Sequence, residues 1–181
     1  MKWRFRQADN KDIDAIVTLV DSAYRGDSSR QGWTTEADLL DGRRTFSEEV
    51  ARIIAAEQNA IVLLEDDEKL LASVHVKKLS SVNAISCRAY LGMFAVEPAS
   101  QNLGIGKAVM EYAEEFVVDN WQCCEMEMTV IRQRVELIAW YEKLGYRVTG
   151  EVRGFPYGDE RYGIPKRDDL VLDVLEKSKL E

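Results

Sequence analysis

The sequence predicts an α/β (α+β) fold built on a mixed sheet, on the strength of three observations. The chain has 181 residues, the length of a single domain spanning residues 1–181. Hydrophobic residues make up 46% and charged residues 31%, a balance typical of a globular protein. Segments with the period of a strand alternate with segments that have the period of a helix, in the order β-α-α-β-β-β-α-β-α-β-β.

The first third of the chain predicts one strand followed by two helices. Trp3 to Arg6 alternates aromatic and basic residues, which is the period of a strand. Asp9 or Asn10 then caps a helix whose apolar residues recur at helical spacing. Thr45 and Glu48 predict a capping box at the start of a second amphipathic helix. The polar, glycine-containing segment between the two helices predicts a loop with at most one helical turn.

The middle of the chain predicts a hairpin and a buried strand. The β-rich runs Ala60 to Glu65 and Leu70 to Lys78 are joined by a short charged segment, which favours a hairpin. Ala89 to Val96 is continuously apolar, as expected of a strand buried on both faces, and Pro98 ends it. These runs are the second, third and fourth predicted strands.

The second half of the chain predicts two helices and three further strands. The helices begin at Gly104 and Val135, and Gly145 follows the second helix as its C′ residue. The segment 153–169 between the last two strands contains three glycines and two prolines and predicts a loop. A helix connects the fourth strand to the fifth, so a right-handed crossover should make these two strands parallel. The three strands are Glu125 to Val130, Arg147 to Val152 and Leu170 to Leu175.

Composition excludes several functional classes. Thirty-two acidic against 24 basic residues give a formal charge of −8, which disfavours a nucleic-acid-binding protein. The longest apolar run has eight residues, too short to span a bilayer, and the N-terminus has no apolar core of signal-peptide type. Three cysteines, two of them adjacent, suit a reducing compartment better than a disulfide framework. We therefore expect a cytoplasmic protein that binds neither nucleic acid nor membranes.

One segment predicts an anion-binding loop. Gln101-Asn102-Leu103-Gly104-Ile105-Gly106-Lys107 follows the fourth strand and opens a helix. Glycines without a Cβ allow an anion to approach the backbone, and the N–H groups of a helix N-terminus can hold a phosphate. A Walker loop is excluded, because it needs a glycine at position 101 and a hydroxyl residue at 108, where Gln101 and Ala108 stand. A dinucleotide-binding fingerprint is excluded as well, because it needs a small residue where Val109 stands.

What does match is Gln-x-x-Gly-x-Gly after a strand that ends in Val-x-Pro. This pattern resembles the acetyl-coenzyme A signature of the GCN5-related N-acetyltransferases, the GNAT family. A second motif, Tyr141-x-x-x-Gly145-Tyr146, resembles the end of a helix in the same family. The predicted order of strands and helices also agrees, so the resemblance covers essentially the whole chain.

The resemblance implies the architecture and the cofactor site. It implies a mostly antiparallel central sheet with helices on both faces, in which the parallel fourth and fifth strands splay apart. Acetyl-coenzyme A (acetyl-CoA) would enter the gap as acyl donor. Its pantetheine would pair with the backbone of Met93, Phe94, Ala95 and Val96. Its pyrophosphate would rest on N–H groups from Gln101 to Lys107, and a backbone N–H near Phe94 on a bulged strand would polarise the thioester carbonyl.

The resemblance also implies Tyr141 as general acid, because a phenol is protonated at neutral pH and can donate to the departing thiolate. Two positions depart from the family pattern. The glutamate that often serves as general base early in the fourth strand is missing, since Tyr90 and Leu91 stand there. We expect deprotonation through water or through Glu127 of the fifth strand. The frequent asparagine seven residues before the tyrosine is Arg134, which could contact coenzyme A phosphates or an acidic acceptor.

The acceptor site is expected beneath the loop between the first two helices. Trp33 supplies aromatic surface, while Arg25, Arg30, Glu36 and Arg43 could recognise a small charged ligand. The alternative is that Trp33 only pins the loop to the core. The arginines of this region are compatible with an acceptor that carries a carboxylate.

The leading hypothesis is an N-acetyltransferase that moves acetyl from acetyl-CoA to the primary amine of a small molecule, for example an amino acid, by direct attack in a ternary complex. The alternatives are a protein or peptide N-acetyltransferase and a non-catalytic acyl-CoA-binding or regulatory module. No Cys/His cluster has metal-ligand spacing, so no metal is expected, and His75 is expected to be structural. The apolar strand at Leu170 to Leu175 is compatible with either a homodimer interface or an inner strand.

Overall fold

A computed structural model describes residues 2–67, 69–79 and 87–180. The strands are β1 (Trp3–Gln7), β2 (Leu40–Asp41), β3 (Asn59–Asp66), β4 (Lys69–Leu79), β5 (Cys87–Val96), β6 (Cys123–Ile131), β7 (Arg147–Gly154), β8 (Ile164–Pro165) and β9 (Val171–Ser178). The α-helices are α1 (Ile13–Tyr24), α2 (Gly26–Ser29), α3 (Ser47–Ala55), α4 (Ile105–Trp121) and α5 (Val135–Lys143). Short 3₁₀ turns precede α1, follow β5 and precede β8. Glu68, part of the expected hairpin turn, lies outside the described residues.

Seven strands form one sheet in the order β1-β3-β4-β5-β6-β9-β7. Every neighbouring pair is antiparallel except β5 and β6, which are parallel. The strands predicted fourth and fifth are β5 and β6, so their predicted parallel pairing and the predicted mixed sheet are confirmed. Among the described residues β2 and β8 form a separate two-stranded ribbon.

Helices cover both faces of the sheet because alternate residues of its central strands are apolar on both sides. Along β3, Ile61 and Leu63 pack with α1 and α3, whereas Val62 and Leu64 pack with α4 on the opposite face. The fold class predicted from the sequence, including helices on both faces, is therefore confirmed.

The strand β5 bends and leaves its parallel partner half-way along its length. Pairing with β6 runs from Cys87 to Tyr90 and then stops, although both strands continue. A bulge follows, where Gly92 pairs with His75 of β4 and Ala95 pairs with Ser73, so β5 carries one extra residue. Within the bulge Met93 adopts a left-handed conformation with φ +48°. The bulge and the splay implied by the family resemblance are thus present.

Several local predictions are corrected by the structure. The helix α3 begins at Ser47 after Phe46, and no side chain caps it. Thr45 instead donates its hydroxyl hydrogen to the carboxylate of Glu49, so the expected Thr45–Glu48 capping box is wrong. The predicted loop after α1 contains the short helix α2, and the segment 33–42 contributes β2 rather than a helical turn. Fully buried residues alternate with half-buried ones along β5, so it is not buried on both faces.

The last strand is an inner strand. Residues of β9 pair on one side with β6, from Ile131↔Leu172 to Glu125↔Ser178, and on the other side with β7. The sheet edge at this end is therefore β7, where Val148 and Val152 are exposed. A homodimer formed through a free edge of β9 is excluded by this topology, and dimerisation in general stays a prediction.

Two features bear on the environment predicted from the sequence. Cys87 and Cys123 lie opposite each other where β5 and β6 begin to pair, with their Cα atoms 4.3 Å apart, and they form a disulfide. The expectation that the cysteines remain unpaired is wrong for these two because the parallel register places them side by side. Cys124 is free and exposed. No helix in the described part of the chain is long and apolar enough to cross a membrane.

Candidate active site

Two cavities meet where β5 diverges from β6. The first cavity has a volume of about 450 Å³ and lies beneath the loop that follows α1, against β5, β6 and the start of the segment after β7. The second cavity has a volume of about 530 Å³ and lies between the end of β5, the start of α4 and α5. Five residues line both cavities and form their shared wall: Tyr24, Phe94, Arg134, Leu137 and Tyr141.

The second cavity contains the predicted anion-binding loop. Asn102 and Gly104 adopt left-handed conformations, with φ +67° and +83°, so the chain turns sharply into α4. The first hydrogen bond of this helix is donated by Ala108 to Gly104, which leaves the preceding N–H groups at the helix start without an intrahelical acceptor. A Cβ at Gly104 would meet no atom within 4 Å. Open space, free N–H groups and the positive end of the helix dipole together suit an anion.

The side chain of Gln101 has a bridging role that its place in the motif did not predict. Its Oε1 accepts a hydrogen bond from the backbone N–H of Trp33, at 2.9 Å, and its Nε2 donates to the carbonyl of Val96, at 3.3 Å. Gln101 therefore fastens the loop after α1 to the end of β5. The glutamine of the motif positions the walls of the second cavity with its side chain.

Gly106 is a packing position. A Cβ there would lie 3.3 Å from the ring of Trp140 and 3.6 Å from the ring of Phe94. These two rings stack with centroids 6.0 Å apart. The absence of a Cβ at Gly106 therefore lets the start of α4 approach the aromatic wall of the second cavity. This packing explains the glycine at position 106, whereas the sequence predicted that an anion approaches there.

Tyr24 joins the loop after α1 to the bulge of β5. Its hydroxyl donates to the carbonyl oxygen of Phe94 at 2.7 Å. The guanidinium carbons of Arg44 and Arg134 lie 5.2 and 5.7 Å from the centroid of its ring, within the range of cation–π contacts. Burial raises the pKa of the Tyr24 phenol, which stays protonated and acts as a donor.

Tyr141 projects from α5 into the shared wall. Only 4% of its surface is exposed to solvent. Burial raises the pKa of its phenol far above the usual value, with a smaller contribution in the same direction from Tyr24. The hydroxyl is therefore protonated at neutral pH. The structure places this predicted general acid where the two cavities meet.

Glu36 lies between two arginines in the first cavity. Its carboxylate oxygens accept from Nη1 of Arg25 at 2.5 Å and from Nη1 of Arg134 at 2.9 Å. All three side chains are more than 90% buried. Burial alone would raise the pKa of Glu36, but Arg134 and Arg25 lower it on balance, so the carboxylate is ionised. The structure thus brings together Arg25 and Glu36, both predicted for the acceptor, with Arg134, predicted for the cofactor.

Glu127 lies outside the lining of both cavities. Its carboxylate is held by Arg88 at 3.3 Å and by Arg153 at 3.0 Å. Because Glu127 contacts two guanidinium groups and lines neither cavity, its placement lends no support to a general-base role.

Most of the other predicted site residues line one or both of the two cavities, and two residues of the loop 101–107 line neither. Trp33 lies in the wall of the second cavity, 6.3 Å from the ring of Trp140, and not with Arg25 and Glu36. Of the loop residues, Leu103 is exposed and Ile105 is buried in the core, and neither lines a cavity. The backbone stretch on β5 spans both cavities. Met93 lines the first, Ala95 and Val96 line the second together with Asn102, Gly106 and Lys107, and Phe94 lines both.

Several cavity-lining residues were not assigned to the site from the sequence, and four of them carry polar or aromatic groups that matter below. Tyr24, Arg44, Tyr90 and Trp140 all line one or both cavities. Tyr90 occupies the position of the missing glutamate, and its hydroxyl lies 3.1 Å from that of Thr129 on β6. Trp140 directly precedes the first residue of the second motif, so its neighbour Tyr141 was a signal for it. Nothing in the local sequence distinguishes Arg44 from its neighbour Arg43, which was predicted for the acceptor site. Arg43 and Arg30 instead pair with Asp21 and Asp38 and line neither cavity.

Residues 2–67, 69–79 and 87–180 contain no group of three or more metal-ligating side chains arranged to hold a metal ion. His75 lies on β4 away from both cavities, with Nε2 2.9 Å from Oδ1 of Asn59.

Comparisons with known proteins agree with this architecture. The acetyltransferase from Streptococcus pneumoniae described as a GNAT family member superposes with a TM-score of 0.69 at 18% identity, covering 98% of this chain and 99% of that one. The ribosomal-protein-S18-alanine N-acetyltransferase from Escherichia coli superposes with a TM-score of 0.67 at 14% identity, covering 99% and 96%. A proposed acetyltransferase from Salmonella typhimurium, yncA, was solved with its cofactor acetyl-CoA. It superposes with a TM-score of 0.71 at 17% identity, covering 100% and 95%.

At these identities the superpositions show a shared fold and leave the acceptor open. A search of the curated proteins finds no matching sequence. The sequence model of the acetyltransferase (GNAT) family matches residues 15–146, a span that includes most of α1, the loop 101–107 and Tyr141. That span is the greater part of the chain, and the chain therefore belongs to the GNAT family of acetyltransferases.

Proposed function

We propose that the protein transfers an acetyl group from acetyl-CoA to the primary amine of a small molecule, by direct attack in a ternary complex. The observation that carries this proposal is the shared wall between the two cavities. A donor in the second cavity and an acceptor in the first would meet at Phe94 and Tyr141, which line both. Holding two reactants side by side in this way supplies much of the rate enhancement of a transfer reaction.

The second cavity suits acetyl-CoA as donor. Its phosphates would be held by the N–H groups at the start of α4, with Lys107 and Lys143 adding positive charge at the rim. The aromatic wall of Trp33 and Trp140 gives the cavity an apolar side suited to the pantetheine chain. In antiparallel pairing the backbone N–H and C=O groups of successive residues point alternately toward the partner strand and away from it. The backbone N–H of Glu97 donates to the carbonyl of Leu71 on β4, so the backbone groups of Val96 and Phe94 point away from β4, toward the gap between β5 and β6.

The chemistry that acetyl-CoA supplies is an activated thioester. The amine nitrogen attacks the carbonyl carbon, a C–N bond forms and the C–S bond breaks. Tyr141 donates its proton to the departing sulfur, and its phenolate, a strong base because its pKa is raised by burial, takes up the proton lost by the amine nitrogen. The backbone N–H of Phe94, in the bulge, would stabilise the developing oxyanion.

The acceptor amine must reach the carbonyl carbon in its neutral form. With Glu127 engaged by two arginines, we place the initial deprotonation of the ammonium form at water in the first cavity. The neighbouring guanidinium groups of Arg25 and Arg134 favour the neutral amine, because like charges lower the pKa of an ammonium group.

The size of the first cavity favours a small acceptor. Its volume of about 450 Å³ lies within the range of small-molecule sites, and buried side chains form much of its wall. An extended peptide would need an open groove, so a protein acceptor is the less favoured alternative.

A thermal-shift titration tests the cofactor assignment first. Protein freed of bound ligand would be titrated separately with acetyl-CoA, free coenzyme A, NAD and ATP. Binding to the native state stabilises it by RT ln(1 + [L]/Kd), about 2.7 kcal/mol at 100 times Kd. We expect a shift with the two coenzyme A species alone.

An amine panel read by thiol release would then test transfer. A thermal shift with neither coenzyme A species would overturn the assignment of the second cavity. A shift without thiol release from any amine would favour the non-catalytic acyl-CoA-binding module instead.

A further inference from the structure

The first cavity carries an excess of positive charge. Four arginines line it, while Glu36 is the one carboxylate among its described lining residues. Arg153 is neutralised outside the cavity by Glu127 and Glu151, at 3.0 and 2.9 Å. The remaining three guanidinium groups belong to Arg25, Arg44 and Arg134, and they face a single carboxylate.

Arg44 is the member of this set whose guanidinium has no carboxylate partner. Within the described residues it makes no ion pair and no side-chain hydrogen bond, and its contact is with the ring of Tyr24 at 5.2 Å. Its backbone N–H, by contrast, is fixed by Asp21 at 2.8 Å. Arg44 is half-buried, so its charge is partly withdrawn from solvent. An unpaired guanidinium in a cavity wall is a strong site for an anion, since its fork can bind a carboxylate through two hydrogen bonds.

Two further donors point to the same conclusion. The Nε–H groups of Arg25 and Arg134 are buried and have no hydrogen-bond acceptor among the described residues. Both side chains are 94% buried, given an exposure of 6% each. Buried donors without acceptors are costly, so their occurrence beside a cavity indicates a place where a ligand can supply acceptors.

We propose that the acceptor amine carries a carboxylate or a related anionic group, and that Arg44 is the specificity-determining residue that binds it. This inference rests on the proposed function, because it concerns the second substrate of the same reaction. The anion would lie against Arg44 and Tyr24, with the amine directed to the shared wall at Tyr141. A polycationic amine without an anion is disfavoured by the same charges.

The division of charge within the cavity supports this orientation. Glu36 is fully engaged by Arg25 and Arg134 and therefore offers a poor site for an ammonium group. Arg44, without such a partner, is left to the anion of the acceptor. With the anion bound there, the amine end of the same molecule stays close to Arg134, where its neutral form is favoured.

The test compares acceptors that share a side chain and differ at the α-carboxylate. Values of kcat/KM are expressed per concentration of neutral amine, because the α-substituent changes the pKa of the amine. Tyrosine, tyrosinamide and tyramine form one such series, and methionine with methioninamide forms a second. Thiol release from acetyl-CoA would be followed at fixed pH with each amine. We expect kcat/KM at least tenfold higher for the acid than for its amide, and lowest for the decarboxylated amine. Equal values for the acid and the amide would overturn the inference.

Variants of Arg44 assign the preference to a residue. Arg44→Gln should raise KM for the carboxylate-bearing amine at least tenfold, change kcat less than threefold, and raise KM for the amide much less than KM for the acid. Arg44→Lys, which keeps the charge and loses the fork, should recover part of the loss. Arg43→Gln is the matched control, because Arg43 is exposed, pairs with Asp21 and does not line the first cavity. An equal rise in KM for acid and amide in Arg44→Gln would contradict the assignment.

The outcomes separate this inference from the proposed function. Binding of acetyl-CoA, measured by thermal shift, also reports whether each variant is folded. If acetyl-CoA binds and amines lacking an anion are the preferred acceptors, or if no carboxylate-bearing amine is acetylated, the inference falls and the cofactor site stands. If acetyl-CoA itself fails to bind, the proposed function falls with it.

Discussion

The hydroxyl of Tyr24, at the C-terminal end of α1, donates a 2.7 Å hydrogen bond to the carbonyl oxygen of Phe94 in the bulge of β5. The two residues are 70 positions apart, and both belong to the wall shared by the two cavities. The bond connects the loop that covers the first cavity to the strand segment on which the thioester would lie. The bulge is thereby held by a side chain where pairing with β6 has ended.

Removing this hydroxyl should loosen the bulge while leaving the aromatic wall in place. Tyr24→Phe keeps the ring against Arg44 and Arg134 and deprives the Phe94 carbonyl of its donor. We expect a loss of about 1 kcal/mol in the free energy of unfolding, and a severalfold fall in kcat. Thermal unfolding and thiol-release kinetics would measure both. Tyr112→Phe is the control, since that ring stacks on Phe5 outside the cavities. Unchanged stability and turnover in Tyr24→Phe would refute the role of the bond.

Tyr141→Phe tests the proposed general acid. The phenol lies in the shared wall and is protonated at neutral pH because burial raises its pKa. General acids typically contribute 10²–10⁴-fold, so we expect kcat to fall at least tenfold. The Kd for acetyl-CoA, measured by titration, should change less than twofold, because the variant removes one oxygen atom. Turnover equal to that of the wild type would remove Tyr141 from the mechanism.

Local sequence patterns predicted the elements of this fold well. The alternation in Trp3 to Arg6 and the glycine after α5 each report on a few neighbouring residues, and the structure confirms both. The Gln101–Lys107 loop was predicted for the same reason, since it is contiguous and opens a helix. The residues expected to bind the anion all lie in this one segment.

Relationships between distant segments were not accessible in this way. The strand β9 lies between β6 and β7 in the sheet. The alternation of residues along a strand does not indicate the order of strands in the sheet. The pairing of Cys87 with Cys123 depends on the parallel register of two strands. The role of Arg44 depends on its contact with Tyr24 and on its having no ion-pair partner among the described residues, both of which are tertiary facts. The part of the candidate site that lies in one contiguous segment was therefore predicted. The part that depends on contacts between distant segments was missed.

Gly104→Ala should weaken both the fold and the cofactor site. Gly104 has φ +83°, and an L-residue with a Cβ is strained there by about 1–2 kcal/mol, although the added methyl group meets no neighbour. Relaxation of the turn would displace the N–H groups at the start of α4. We expect the free energy of unfolding to fall by about 1 kcal/mol and the Kd for acetyl-CoA to rise severalfold.

Two variants serve as references for this position. Gly104→Asn should recover part of the loss, since asparagine tolerates the left-handed conformation better than alanine does. Gly154→Ala, on β7, meets no atom within 4 Å and should leave acetyl-CoA binding unchanged. Equal Kd values for the alanine variants at 104 and 154 would show that the conformation of Gly104 is dispensable.

Glu36→Gln should be the most destabilising of these variants. The change removes the negative charge between two arginines that are both buried, and a buried pair broken on one side costs about 3–5 kcal/mol. Chemical denaturation would measure the loss. Asp38→Asn is the matched control, because Asp38 pairs with Arg30 on the exposed surface, and this variant should change the midpoint of chemical denaturation little. Similar denaturation midpoints for the two variants would contradict the buried network of Glu36, Arg25 and Arg134.

The stability of the protein should fall in mild acid because of His75. Burial, with smaller contributions from Lys77 and Arg44, lowers the pKa of its imidazole to about 4. The unfolded chain, with an ordinary imidazole pKa of about 6.5, binds a proton at higher pH than the native state does. The stabilisation is therefore complete above pH 6.5 and is lost as the pH falls toward 4. Between pH 7.5 and pH 5 the loss amounts to roughly 2 kcal/mol, measurable by denaturation at each pH.

His75→Gln keeps a neutral donor for Asn59 and should flatten the dependence of stability on pH. Parallel stability curves for the wild type and the variant would show that another group is responsible.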